Sequence, residues 1–135
     1  MTIKFRIFNN LQGIILILII AIVVLVLLFA YVNARISAND QKRLADIGQI
    51  QAALKVYFDE NGFYPASNKG LPKDIETYLN FWPTAPSKNG KCSDEKNTYT
   101  YVLRPGMDYW VSFCLGRDYN NLSAGTHRAS SKGIE

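Results

Sequence analysis

The sequence has one histidine, His127, and two cysteines, Cys92 and Cys114. It has no Cys-x-x-Cys pair, no glycine-rich phosphate loop and no Gly-x-Ser-x-Gly elbow. A metal site built on several histidines is therefore excluded, and a serine-histidine-aspartate triad would rest on one histidine in the C-terminal tail. Asp59 and Glu60 are adjacent, and adjacent helical residues do not face one another, so they read as solvated charges at a helix end. With no pairing of nucleophile and base, the residues give no reason to expect an enzyme.

A second absence is local. Residues 14–32, IILILIIAIVVLVLLFAYV, contain no charge, amide, glycine or proline. At ~1.5 Å per residue a helix of this run is ~28 Å long, close to the thickness of a bilayer core. One small domain could hardly surround a helix that is apolar on every side, which argues against a buried core helix. A cleaved secretory signal is the rival reading. Lys4 and Arg6 precede the run and Val32-Asn33-Ala34 offers a small-residue cleavage site, but the run exceeds the ~7–15 apolar residues usual in a signal. The expectation is one membrane-spanning helix.

Its orientation is not decided by basic residues, because Lys4 and Arg6 on one side face Arg35, Lys42 and Arg43 on the other. The cysteines discriminate better. An even pair in a small exported domain favours a disulfide, hence a cytoplasmic N-terminus and an extracytoplasmic C-terminal domain; two free buried thiols are the alternative. The net charge of +4 is likewise undramatic: from residue 34 onward thirteen basic residues face eleven acidic ones. That balance describes a mixed, solvated surface and no basic stripe of the kind nucleic acid selects.

No proline precedes Pro65, and the pattern stays helical beyond the apolar run. Leu44, Ile47, Ile50, Leu54, Tyr57 and Phe58 recur at steps of three and four, with Asp40, Lys42, Arg43, Asp46, Gln49 and Lys55 expected to point elsewhere. One helix over residues 14–60 would be ~70 Å long, with Asn33, Ser37, Asn39 and Gly48 as its weak points. Asn61-Gly62 stops it, and Pro65 forces Tyr64 into an extended shape. A short helix is expected over 74–79, and a loop over 87–91. Strands are expected over 98–103 and 109–115, joined by a hairpin loop at 105–107. The register that sets Tyr101 opposite Val111 and Tyr99 opposite Phe113 places both apolar sets on one face, directed at Leu54, Tyr57 and Phe58. A Cys92–Cys114 bridge would close a loop of about twenty residues, worth about 3 kcal/mol of loop entropy.

Trp110 falls on the other face of that sheet, apart from the aromatics expected to pack in the core. Asp118 and Asn120 offer oxygen ligands of the kind calcium accepts, without the EF-hand spacing; no other metal or cofactor is expected. Residues 116–135 are rich in Gly, Ser and Asn and are assigned no regular structure. The fold class is α+β: a long N-terminal helix, spanning then amphipathic, packed on a small antiparallel β-sheet. The chain divides into a basic leader (1–13), a transmembrane or filament-core helix (14–33), its amphipathic continuation (34–61), and a loop with a small sheet domain and tail (62–135).

Residues 41–65, QKRLADIGQIQAALKVYFDENGFYP, resemble the helix end of type IV filament subunits, particularly the major pseudopilins of type II secretion systems and related small pilins. The tail AGTHRASSKGI at 124–134 is similar, more weakly, to the family's glycine-rich C-terminal segment. The resemblance implies a structural, pilin-like subunit, anchored in the cell membrane and assembling with copies of itself or related pilin subunits into an extracytoplasmic filament. It also implies a leader cut by prepilin peptidase between Gly13 and Ile14. Two positions depart from the pattern: Gln12 replaces the usual basic residue, and Leu18 stands where the family carries the Glu that neutralises a neighbouring subunit's new amino terminus. Without that acid a buried amine lacks its partner. The chain is then a subunit packed without the acid, a tip or priming subunit, or an uncut anchored protein. The alternative function is an uncleaved single-pass binding module that takes up DNA or adheres to a surface ligand through the tail and Lys88, Lys91 and Lys96.

Overall fold

The structure is a computed structural model that describes residues 10–135. One helix, α1 (Asn10–Asn61), is followed by β1 (Ser67–Asn68), β2 (Leu71–Pro72), β3 (Thr100–Arg104), β4 (Asp108–Leu115), β5 (Gly125–Ser130) and β6 (Gly133–Ile134). Lys4 and Arg6 of the expected leader lie outside the described residues. The chain forms two compact units, one up to Arg35 and one over Ile36–Glu135.

Among its described residues the first unit is helix alone. Every large apolar side chain from Ile14 to Val32 is about half exposed or more. Asn33, one of the expected weak points, donates its side-chain amide to the Phe29 carbonyl (3.0 Å) and stays helical. The segment is long and apolar enough to cross a membrane.

In the second unit the helix buries Ile47, Ile50, Ala53, Leu54 and Tyr57. Gly62 ends it. Its N–H returns to the Phe58 carbonyl (2.8 Å) at φ 77°, a left-handed conformation that costs glycine little, and the Asn61 amide caps the Tyr57 carbonyl (2.8 Å). The main sheet has the order β3-β4-β5-β6, antiparallel throughout. Tyr101 sits opposite Val111, so Tyr101, Tyr109, Val111, Phe113 and Leu115 line one buried face against the helix stripe. The architecture is α+β and pilin-like: a long helix packed, over its second part, on a small antiparallel sheet.

Three expectations are corrected. Residues 74–79 are turns and not a helix, because Asp74 is left-handed (φ 59°) and the amides of Tyr78 and Leu79 both fold back on Ile75 (2.9 Å). The tail is not irregular: β5 completes the free edge of β4, with His127 opposite Phe113 and Ala129 opposite Val111. Its composition conceals this because half of that strand faces solvent and carries Thr126 and Arg128. Finally, Asp40, Arg43 and Asp46 are buried and do not point away from the core. Asp40 and Arg43 extend the stripe of Ile47, Ile50, Leu54 and Tyr57 at steps of three and four, so the packed face of α1 begins polar and becomes apolar.

Candidate functional site

The polar start of that stripe organises the globular unit. Arg43 and Asp40, three residues apart on α1, form an ion pair at 2.7 Å with both side chains fully buried. An isolated buried pair pays heavily for lost water unless its remaining donors and acceptors are met. Here most are. Arg43 also donates to the Asn89 side chain (3.1 Å), the Ser87 carbonyl (3.1 Å) and the Asn97 side chain (2.9 Å). Asp40 accepts the backbone N–H groups of Gly116 (2.8 Å) and Arg117 (3.1 Å). The Arg43 Nε and Asn89 Nδ2 atoms remain without partners. One arginine thus fastens the 87–97 loop to the helix, and its aspartate fastens the end of β4.

Cys92 and Cys114 are bonded across the same junction, Cα to Cα 5.7 Å, and both are buried. Lys91 N–H donates to the Gly116 carbonyl (3.0 Å), and Gly90 lies so close to Gly116 that a Cβ there would strike its backbone. The next layer is aromatic. Tyr99 donates its hydroxyl to buried Asp46 (2.9 Å), and desolvation together with that carboxylate raises its pKa. Tyr101 donates to the Pro65 carbonyl (2.7 Å), joining the sheet to the segment that leaves the helix. Burial likewise raises the pKa of Tyr101 and Tyr109.

The residues singled out for function lie as follows. Leu54, Tyr57, Tyr99, Tyr101, Val111 and Phe113 are in one buried cluster, and Phe58 is half-buried against it. Gly13 and Ile14 lie within α1. Asp118 accepts the Ala124 N–H (2.7 Å) and Asn120 holds a left-handed turn (φ 51°). Among the described residues no group of three His, Cys, Asp or Glu side chains gathers. His127 is buried against Phe113, each ring nitrogen facing a backbone carbonyl: Ser123 at 2.6 Å and Glu135 at 3.2 Å. Lys88, Lys91 and Lys96 are exposed, with Lys88 paired to Asp94. The Arg43 assembly escaped the sequence reading. Its one signal was the spacing of Asp40 and Arg43 in phase with the apolar stripe.

Nothing in this arrangement pairs a nucleophile with a base. The globular unit is braced, and the apolar part of α1 is exposed. No family model matches the chain, and no solved structure matches it. Among curated proteins it is similar to the type II secretion system core protein G of Escherichia coli strain K12, 29% identical over 128 residues, spanning 95% of this chain and 79% of that protein. Fold, helix end and relative point one way: toward a pilin-like layout similar to that of a core protein of type II secretion.

Proposed function

We propose that the chain is a structural subunit, held in the membrane by the apolar part of α1 and able to assemble through that helix with copies of itself or related pilin-like subunits into a filament of the type II secretion kind. The observation that carries this is the contrast along one helix: residues 14–32 are apolar and uncovered, whereas the stripe from Asp40 to Tyr57 is already occupied by its own domain. Bilayer first, and neighbouring helices afterwards, are the environments that would cover such a surface. The similarity to a core protein of type II secretion supports the same reading. The disulfide is the bond expected of a domain on the oxidising side of the membrane, with the N-terminus cytoplasmic.

Cleavage between Gly13 and Ile14 belongs to this reading. The new amino terminus would then lie four residues from Leu18, with no carboxylate on the apolar run to neutralise it. That favours a subunit whose terminus stays near the membrane surface, at a tip or priming position, over one repeated throughout a filament. Electron microscopy of filaments sheared from cells, with mass spectrometry of this chain, tests both points. The expected result is the chain in sheared filaments, in low proportion, starting at Ile14. Its absence from filaments would overturn assembly, and a start at Met1 would overturn cleavage.

A further inference from the structure

The outward face of the main sheet carries an arrangement that neither the core nor the spanning helix uses. Trp110 projects from β4 on the side opposite buried Tyr109 and Val111, directly across from Val102 of β3. Arg104 of β3 places its guanidinium carbon 3.6 Å from the Trp110 ring centroid, and Arg128 of β5 places its own at 4.4 Å. Stacking on the indole orients a planar guanidinium while leaving its N–H donors free.

Among the described residues neither guanidinium has a carboxylate within 4.0 Å. The acids nearest in register are engaged otherwise. Asp108, opposite Arg104, accepts the N–H groups of Tyr109 (2.8 Å) and Ser131 (3.2 Å) through Oδ1. Glu135 meets Arg128 only through the backbone, by paired N–H to carbonyl bonds at 2.8 and 3.0 Å. Val102, opposite Trp110, is exposed, and so is Met107 in the turn between β3 and β4.

An indole flanked by two unpaired guanidinium forks, with exposed Val102 directly across from it, has the composition of a protein-binding hot spot. A surface that tracks nucleic acid spreads many cations along a stripe; here two flank an apolar centre and an aspartate sits alongside. We propose that this face docks a protein segment presenting two carboxylates on either side of an apolar side chain. Each carboxylate is taken by one guanidinium fork, and the apolar group lies against Trp110 and Val102. The two guanidinium carbons are no more than about 8 Å apart, the sum of their distances to the ring centroid. Acids one helical turn apart (~5.4 Å) or two residues apart along a strand (~6.8 Å) reach both.

The test uses the full chain in detergent micelles and three fluorescent probes: a helical peptide with Glu, Leu and Glu on one face, its Gln, Leu, Gln counterpart, and a single-stranded oligothymidylate. The Glu peptide is expected to bind, and the Gln peptide to bind about tenfold more weakly or worse. The double variant Arg104→Glu/Arg128→Glu should lose the Glu peptide by at least as much, and Arg104→Lys/Arg128→Lys should weaken it less because charge is kept and the fork lost. Unchanged near-ultraviolet circular dichroism establishes that the variants are folded. No binding of the Glu peptide, equal binding of the two peptides, or binding indifferent to charge reversal would overturn the proposal. Tighter binding of the oligothymidylate, lost on charge reversal, would overturn it in favour of a nucleic-acid face. The assay reads single chains, so its outcome is independent of filament assembly.

Discussion

The two parts of α1 solve opposite problems. Over residues 14–32 the side chains carry no charge and no amide, the Tyr31 hydroxyl being their one polar group, and are left exposed, so their free energy is set by the solvent supplied to them. Over residues 40–57 the side chains include a fully buried ion pair and a buried aspartate, and their free energy is set by partners fixed in the same chain. The first part is robust to which apolar residue stands where and fragile to any charge. The second is robust to surface change and fragile to the loss of single atoms.

The comparison breaks most sharply at Arg43. Its replacement by alanine strands the Asp40 carboxylate and releases the 87–97 loop, and should cost about 3–5 kcal/mol in thermal or denaturant unfolding. Replacing Asp40 and Arg43 together by apolar residues should cost markedly less, since no charge is left buried alone. A double variant as unstable as Arg43→Ala would show that the hydrogen bonds to the loop dominate.

In the apolar part the corresponding blow is Leu25→Arg, expected to raise the cost of insertion by about 3 kcal/mol, whereas Leu25→Ile should be silent. Membrane fractionation of the two variants checks this; equal recovery in the membrane would mean that residues 14–32 do not anchor the chain. Comparable in size is reduction of Cys92–Cys114, which closes a loop with a sequence separation of 22. Loop entropy puts the loss at about 3 kcal/mol, read as a fall in the unfolding midpoint of a Cys92→Ser/Cys114→Ser variant.

A pH effect follows from the tyrosines. Tyr99, Tyr101 and Tyr109 have pKa values raised chiefly by burial, so the native state keeps protons that the unfolded chain releases near pH 10. Their contribution is fully present below that pH and is lost as pH rises beyond it. The globular unit should therefore lose stability steeply above about pH 10, and Tyr99→Phe should flatten that slope. A midpoint independent of pH in this range would count against three buried hydroxyls. The smallest effect belongs to Gly62→Ala, about 1 kcal/mol, from forcing a Cβ into a left-handed cap where no neighbour crowds it.

Local chemistry was legible wherever one interaction dominates. The uninterrupted apolar run reads as a helix long and apolar enough to cross a membrane because length and absence of charge suffice. The Asn61-Gly62 stop reads as a stop because positive φ favours glycine. The Tyr101–Val111 register reads correctly because a one-residue slip would send the two apolar sets to opposite faces. Illegible were β5, whose strand character comes from the open edge of β4 and not from its own residues, and the left-handed Asp74 that replaces the expected helix over 74–79. The Arg104–Trp110–Arg128 stack was equally hidden, since it joins three strands of which one was not foreseen.

What the sequence by itself determined is the helix, where its apolar part lies, where it ends, and which faces of two strands are buried. Those follow from hydrophobic period and from backbone preferences that act within a few residues. Only the tertiary structure decided that Asp40, Arg43 and Asp46 go inside. A charge is tolerable in the interior only when several partners converge on it, and those partners, Ser87, Asn89, Asn97, Tyr99, Gly116 and Arg117, come from loops and strand ends more than forty residues away.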